Sequence, residues 1–454
     1  VTHAESCAEQ MSPRWRDAMD QALYGPDGFF VSGSGPADHF RTSVHASPAF
    51  AGALLRLVKQ IDAALGHPER LDVVDVGAGR GELLRTLATL AVASDDAVGS
   101  AASGDVGGAV GVYGEPTRSG RSGLIPPRAG SPETLTPPAA VRPAPSVAGR
   151  EPLVRRLRLS AVELAPRPDD LPAEIAWSDE IPSGIVGLLV AAEWLDNVPL
   201  DVAVHTGGSW RYLLVDPATG AESLGDPVDP ADAEWLTAWW PVPDAKLDCP
   251  SDRDSALLTS VTDSRSSTGS GFRAARPADG SSLTARSRSG CPETPHSDHE
   301  IARAEIGRTR DEAWAEAVGK IDRGLALAVD YGHLRESRPV DGTLTGYRGG
   351  RQVPPVPDGS RDVTAHVAMD SVASAGERVA RCAYALGSQR EGLRALGADG
   401  GRPPLSLAAN DPAGYLRALA AASAVAELTD PAGLGGHWWL RQPVGIDPAP
   451  FMAR

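Results

Sequence analysis

The stretch from Leu71 to Leu90 constrains the fold more than any other. Leu71-Asp-Val-Val-Asp-Val76 is a short apolar run, Asp75-Val-Gly77-Ala-Gly79-Arg-Gly81 follows with alternating glycines, and leucines at 83, 84, 87 and 90 come next at helical spacing. A short apolar run ended by glycines reads as a strand buried on both faces, as in a parallel sheet. Strand, tight turn and helix in succession form the opening unit of a doubly wound α/β fold. Glycines let the backbone turn sharply and approach a ligand, with free N–H groups at the helix start facing it.

The two periods keep alternating further along. Leu159–Glu163, Ile185–Ala191 and Leu325–Asp330 read as further strands, and Arg308–Ile321 as a helix opened by a capping box of Thr309 and Glu312. Val202–Val215 alternates around Gly207-Gly208, the pattern of a hairpin. Leu405–Leu428 is Ala-rich and predicts a helical appendage in which Pro412 ends or starts a helix.

Two stretches resist this reading. Residues 97–150 are Gly, Ala, Ser and Pro with scattered Arg, and residues 245–302 are Ser, Asp and Arg with few large apolar groups. Neither buries enough surface to offset its chain entropy, so both are expected to be low-complexity insertions. The chain then divides into an N-terminal cap (1–64), a sheet domain in two parts (65–96 with 151–244, then 303–400), and a C-terminal helical appendage with a terminal strand (401–454).

The glycine spacing carries chemical information. A dinucleotide fingerprint needs glycine at positions 77, 79 and 82, and position 82 is glutamate. GxGxG preceded by Asp75 suits S-adenosylmethionine, which has no pyrophosphate to accommodate, and Glu82 disfavours a nicotinamide oxidoreductase. An acid at the end of the next strand grips ribose hydroxyls in such sites. Glu163 fits that place, with an insertion explaining its distance from Gly81; otherwise it is a surface glutamate. Glu193 and Asp196, in Ala192-Glu-Trp-Leu-Asp-Asn-Val-Pro199, follow the third strand, where ligands of open α/β sheets bind. Asp196 also reads as a helix cap and Trp194 as core. His366 lies in a polar loop with Asp362-Val-Thr-Ala-His, either as a proton acceptor or as a structural hydrogen-bonding histidine.

Composition narrows the classes. With 43 Lys and Arg against 59 Asp and Glu, the net charge is −16, which argues against a protein that coats nucleic acid or anionic lipid. Cys7, Cys249, Cys291 and Cys382 form no CxxC pair, so no zinc ribbon or disulfide scaffold is expected. No apolar run reaches membrane-spanning length and no signal peptide is read at the N-terminus. Positive charge is almost all arginine, a bias of GC-rich bacterial genomes, so a cytoplasmic bacterial enzyme is expected. GxSxG and the Walker loop do not occur, and His299-Glu300 lacks the second histidine of HExxH.

Taken together, DVGAGRG, AAEWLDNVP, Asp330-Tyr-Gly332, GTL at 342–344 with Tyr347, and DVTAHV with Gln389 downstream resemble the MidA-like S-adenosylmethionine-dependent methyltransferases. Tyr24-Gly-Pro-Asp-Gly28 and Phe40-Arg-Thr-Ser43 match that family's opening motif. The resemblance implies a class I (Rossmann-like) methyltransferase fold with an additional helical region. It implies that Gly77, Gly79 and Gly81 line the cofactor, that Glu163 holds its ribose, and that Glu193 and Asp196 face the methyl group. No metal is called for. That family is related to the mitochondrial complex I assembly factor that methylates an arginine, so the implied acceptor is a protein arginine, a respiratory-complex subunit being one candidate. Ala192 and Thr345 stand where the family usually has Asn and often Arg. These departures favour the alternative, a non-catalytic assembly factor that keeps the cofactor pocket.

Overall fold

The computed structural model describes residues 12–32, 42–103, 151–241, 302–398 and 400–452. An N-terminal cap comes first: α1 (Trp15–Tyr24), α2 (Phe29–Ser32), α3 (Ser43–Ala46) and α4 (Pro48–Ala64). The start of α4 is fixed chemically, since Ser47 accepts the Ala49 amide and Pro48 opens the first turn. Its inner stripe buries Phe50, Leu54 and Ile61 completely, each contributing about 1.5–3 kcal/mol.

Then β1 (Leu71–Val76) leads into α5 (Glu82–Ser103), and α6 (Leu153–Arg156) precedes β2 (Leu157–Val162), β3 (Ile175–Ser178) and β4 (Ile185–Ala192). The helix α5 continues past position 97, where low complexity is expected to begin. The remainder of that expected insertion, and the 245–301 stretch of the second, fall outside the described residues. A second, antiparallel sheet follows: β5 (Asp201–Thr206), β6 (Ser209–Val215), β7 (Glu222–Pro227) and, after α7 (Pro230–Trp239), β8 (Arg303–Ile306). β5 and β6 are the expected hairpin, turned by Gly207 and Gly208 at φ 57° and 80°.

α8 (Arg308–Gly319) and β9 (Ile321–Asp330) return the chain to the main sheet. The capping box expected for α8 does not form. Gly307 is the N-cap, the Thr309 hydroxyl donates to the Pro199 carbonyl instead, and Glu312 pairs with Arg308. β10 (Gly332–His333), β11 (Thr345–Arg348), β12 (Arg351–Val353), β13 (Asp362–Thr364) and β14 (Val367–Ala368) are short pairings in what the sequence reads as loop. The last elements are α9 (Met369–Ala380), β15 (Ala385–Ser388), α10 (Gln389–Ala395), α11 (Leu405–Asn410), α12 (Pro412–Leu428), β16 (Trp438–Val444) and α13 (Ala449–Met452). Pro412 starts α12, as its missing N–H allows.

The main sheet has seven strands in the order β15-β16-β9-β4-β1-β2-β3. β9, β4, β1, β2 and β3 are mutually parallel, and β16 runs antiparallel between β9 and β15. Alternating residues feed two cores. Val73, Leu188, Val190 and Leu327 meet α4 and α5 on one face. Val74, Leu189, Ala326 and Ala328 meet Trp314 and Val372, from α8 and α9, on the other. Strand order reverses at β1, so a crevice opens between the carboxyl ends of β1 and β4, the place where such sheets bind ligands. Among the described residues no helix is long and apolar enough to cross a membrane.

Candidate active site

Gly77, Gly79 and Gly81 all take positive φ, at 72°, 59° and 80°. Their reasons differ. A Cβ at Gly77 would sit 3.0 Å from the Trp194 ring and one at Gly81 2.7 Å from Leu171, whereas one at Gly79 would meet only the Glu82 carboxylate, at 3.4 Å. Packing therefore demands the outer glycines, and Gly81 is not part of the cavity wall. The amides of the loop itself, from Gly77 to Gly81, are already engaged, so the free N–H groups expected at the helix start do not come from the loop. Gly77 and Ala78 donate to the Val162 carbonyl at 3.0 and 3.2 Å, and Gly81 donates to Ala78. Gly79 donates to Glu163 at 3.0 Å and Arg80 to Glu82 at 2.9 Å. These committed donors leave the loop poorly suited to cradle a phosphate.

A cavity of about 620 Å³ opens over this loop. Its wall includes Asp75, Gly79, Glu163, Ile181, Trp194 and Asp196, with Tyr24, Phe30 and His45 from the cap. Glu163 closes β2 as expected, its second oxygen accepting the Leu164 and Ala165 amides. Burial pushes both the Asp75 and Glu163 carboxyls upward, and neighbouring Glu82 adds to each.

Glu193 follows β4 in a left-handed conformation, φ 53°, costly for a side chain with a Cβ. Its amide donates to the Val329 carbonyl at 2.8 Å, and its carboxylate accepts the Ser43 amide at 2.8 Å. Burial pushes its pKa up to about 7, against the pull of the Ser43 amide. Asp196, buried in a short turn, receives the Tyr331 and Thr364 hydroxyls on Oδ2, Thr364 at 2.7 Å. Among the described residues its Oδ1 has no hydrogen-bond partner. Asp196 is therefore not the cap of its own turn. That task falls to Asp330, which accepts the Leu195 and Asp196 amides at 3.0 and 3.2 Å. Trp194 does pack against the core, and it also lies over Gly77.

His366 stands apart from this cavity. Its ring contacts Tyr331 edge-on at 5.1 Å and its backbone amide donates to Thr343. It therefore reaches Asp196 only from behind Tyr331. Burial and the Arg310 guanidinium lower its pKa, while Glu305 and Asp196 oppose them. Thr345 is likewise outside the cavity wall, tied to Val353 and Gln352 within its small sheet. Ala192 lines the cavity.

Residues that local sequence reading passes over complete the site. Glu305, buried in β8, receives the amides of Thr343 and Leu344 and so fixes the GTL segment. Arg310, also buried, donates to the carbonyls of Asp196, Val198, Ala365 and His366, binding the Glu193–Asp196 segment to the Asp362–His366 segment. Asn197 adds a bond to Asp362 at 2.7 Å. A buried charge between apolar neighbours was the available signal for Glu305; for Arg310 it was charge in the first turn of a core helix.

The comparisons with known proteins bear on this arrangement. Residues 153–386 match a family model described as "Putative S-adenosyl-L-methionine-dependent methyltransferase". The chain belongs to this methyltransferase family. The match covers Glu163, Glu193, Asp196 and His366 and begins after the glycine loop. Two solved structures from Burkholderia thailandensis resemble this methyltransferase, each at 20% identity over 97% of this chain and 89% of theirs. One, described as a "likely methyl transferase" and bound to S-adenosyl-homocysteine, superposes with a TM-score of 0.60; the other, described as uncharacterized, gives 0.57. At that identity they speak for the fold. Among curated proteins nothing matches.

The residues of this methyltransferase fit S-adenosylmethionine. Gly79 leaves the loop open toward the cavity, and Asp75, Glu82 and Glu163 offer acceptors to a ligand rich in hydroxyl donors and positive charge. Val162, Leu164 and Ile181 give the same wall an apolar surface for a flat base.

Proposed function

We propose that this methyltransferase methylates a nitrogen of an arginine side chain in a partner protein. The carrying observation is Oδ1 of Asp196, a buried carboxylate oxygen with no hydrogen-bond partner among the described residues, on a residue that lines the cavity the glycine loop opens into. A buried acceptor without a donor is expensive, and a guanidinium N–H is the donor whose charge matches it. Asp75, Gly77, Gly79 and Glu163 hold the cofactor in this reading, with Gly81 shaping their turn from behind.

S-adenosylmethionine supplies an already activated methyl group. The protein's work is therefore alignment in a dry pocket. A guanidinium stays protonated at physiological pH, so carboxylates must orient it and stabilise its charge as the proton leaves. Glu193, with a pKa near 7, is poised for both tasks. Asp196 holds the second N–H, its other oxygen pinned by Tyr331 and Thr364. His366 is left a secondary part, through the Tyr331 ring. The relation to a complex I assembly factor makes a respiratory-complex subunit the first partner to try.

The test is tritium transfer from labelled S-adenosylmethionine to a library of arginine-centred peptides, with calorimetry of cofactor binding alongside. Label in methylarginine that Glu193→Gln abolishes, with cofactor binding kept, supports the reading. Label in another residue type refutes the acceptor, and cofactor binding without transfer to any acceptor supports the non-catalytic alternative.

A further inference from the structure

Glu193 is held from outside its own strand, by Ser43 and, behind it, by Gln389. The Ser43 amide donates to Glu193 Oε1 at 2.8 Å, and the Ser43 hydroxyl donates to Gln389 Oε1 at 3.0 Å. Both Ser43 and Gln389 are fully buried. Gln389 has no freedom left: its Nε2 donates to the Leu428 carbonyl at 3.1 Å and its backbone amide to the His437 carbonyl at 2.7 Å. A line of hydrogen bonds thus runs from the end of α12 through Gln389 and Ser43 to the carboxylate at the cavity. We propose that Ser43, anchored by Gln389, is a positioning residue for methyl transfer, its amide aiming the Glu193 carboxylate at the acceptor.

The geometry supplies the reason such a clamp is needed. Glu193 turns into the cavity through a left-handed backbone conformation, and such conformations persist only where surroundings over-determine them. The Val329 carbonyl fixes its amide and Ser43 fixes its side chain. The other ionisable groups around the carboxylate do not bond it. Asp196 and Asp330 are like charges, His45 acts at a distance, and His437 Nδ1 stands 3.9 Å from Oε1. The role in transfer rests on the arginine reading above; the clamp itself does not.

Ser43 is the first residue of α3 and follows the extended Thr42, a position where proline suits the backbone; its ring removes the amide proton and the hydroxyl and puts a methylene where the proton met Glu193. The experiment is difference infrared spectroscopy of the cofactor-free protein, following with pH the protonated-carboxyl band that Glu193→Gln deletes. Loss of a charge-stabilising amide should raise the midpoint in Ser43→Pro by about one pH unit. Ser43→Ala, which keeps the amide, should move it less than half as far. On the peptide library, Ser43→Pro should lower the transfer rate about tenfold while cofactor affinity stays within about twofold. A wild-type midpoint in Ser43→Pro overturns the clamp. Should that variant not fold, Gln389→Ala takes its place, with an upward shift expected and an unmoved midpoint equally fatal. If no peptide is methylated by the wild type, the arginine reading fails while the infrared midpoint still decides the clamp.

Discussion

The Glu163 carboxylate accepts the amide proton of Gly79 at 3.0 Å, tying the end of β2 to the glycine loop after β1. Eighty-four positions separate them along the chain. This bond holds the loop open over the cavity while the other Glu163 oxygen is occupied by Leu164 and Ala165. Replacing Glu163 by Ala should weaken S-adenosylmethionine binding at least tenfold, by losing both the loop tie and a hydroxyl acceptor, each of about 1 kcal/mol or more. Isothermal calorimetry reads this directly.

Gly79→Val should abolish measurable cofactor binding with little loss of thermal stability beyond about 1–2 kcal/mol. Its φ is 59°, and its added side chain would project beside Glu82 into the cavity. Gly81→Val should differ, lowering the melting temperature more, because Leu171 already occupies that space. Melting curves and calorimetry on the pair separate the two effects.

Glu193→Gln is expected to cost activity and return stability. The folded protein holds the Glu193 proton up to about pH 7, while the unfolded chain releases it near 4.3. The fold therefore loses stability as pH rises between these values and regains none above them. At pH 8 the neutral glutamine should stabilise the protein by about 1–3 kcal/mol, and at pH 4 by almost nothing. Chemical denaturation at both pH values checks the sign.

The same titration sets the activity profile. Since ionised Glu193 is the form that takes an arginine, kcat/KM should rise about tenfold per pH unit below 7 and level off above it. A flat profile across pH 6 to 8 would remove Glu193 from the chemical step.

Outside the site, Asp62 joins Arg156 through two bonds of 2.7 and 2.8 Å, both residues buried. Asp62→Ala strands the guanidinium and should cost about 3–5 kcal/mol. A denaturant titration measures it, with cofactor affinity unchanged in the fraction that folds.

Much of the sheet was legible because β4 is an unbroken apolar run and β1 and β9 hold short ones, Val73-Val74 and Leu325–Val329, while Glu163, Glu193 and Asp330 stand at or just beyond strand ends where polarity resumes. β3 was missed. Its four residues, Ile-Ala-Trp-Ser, show no clear period and begin three positions after Pro172. The short pairings β10 to β14 escaped for the same reason, being two to four residues long. The capping box of α8 matched a local pattern that tertiary partners overrode, with Pro199 capturing Thr309. The contact of Ser43 with Glu193 spans 150 positions and no local rule encodes it.

The place of β16 gives the sheet an order of assembly. It lies inside the sheet between β9 and β15, and every strand it touches leaves the ribosome earlier. Until residues 437–444 arrive, Leu327, Val329 and Leu386 face a gap, and the His437 carbonyl that holds Gln389 is missing. The half of the molecule that carries the glycine loop can take shape during synthesis, but the half that aims Glu193 is finished last. A nascent chain would then acquire its cofactor pocket before it acquires the means to use it.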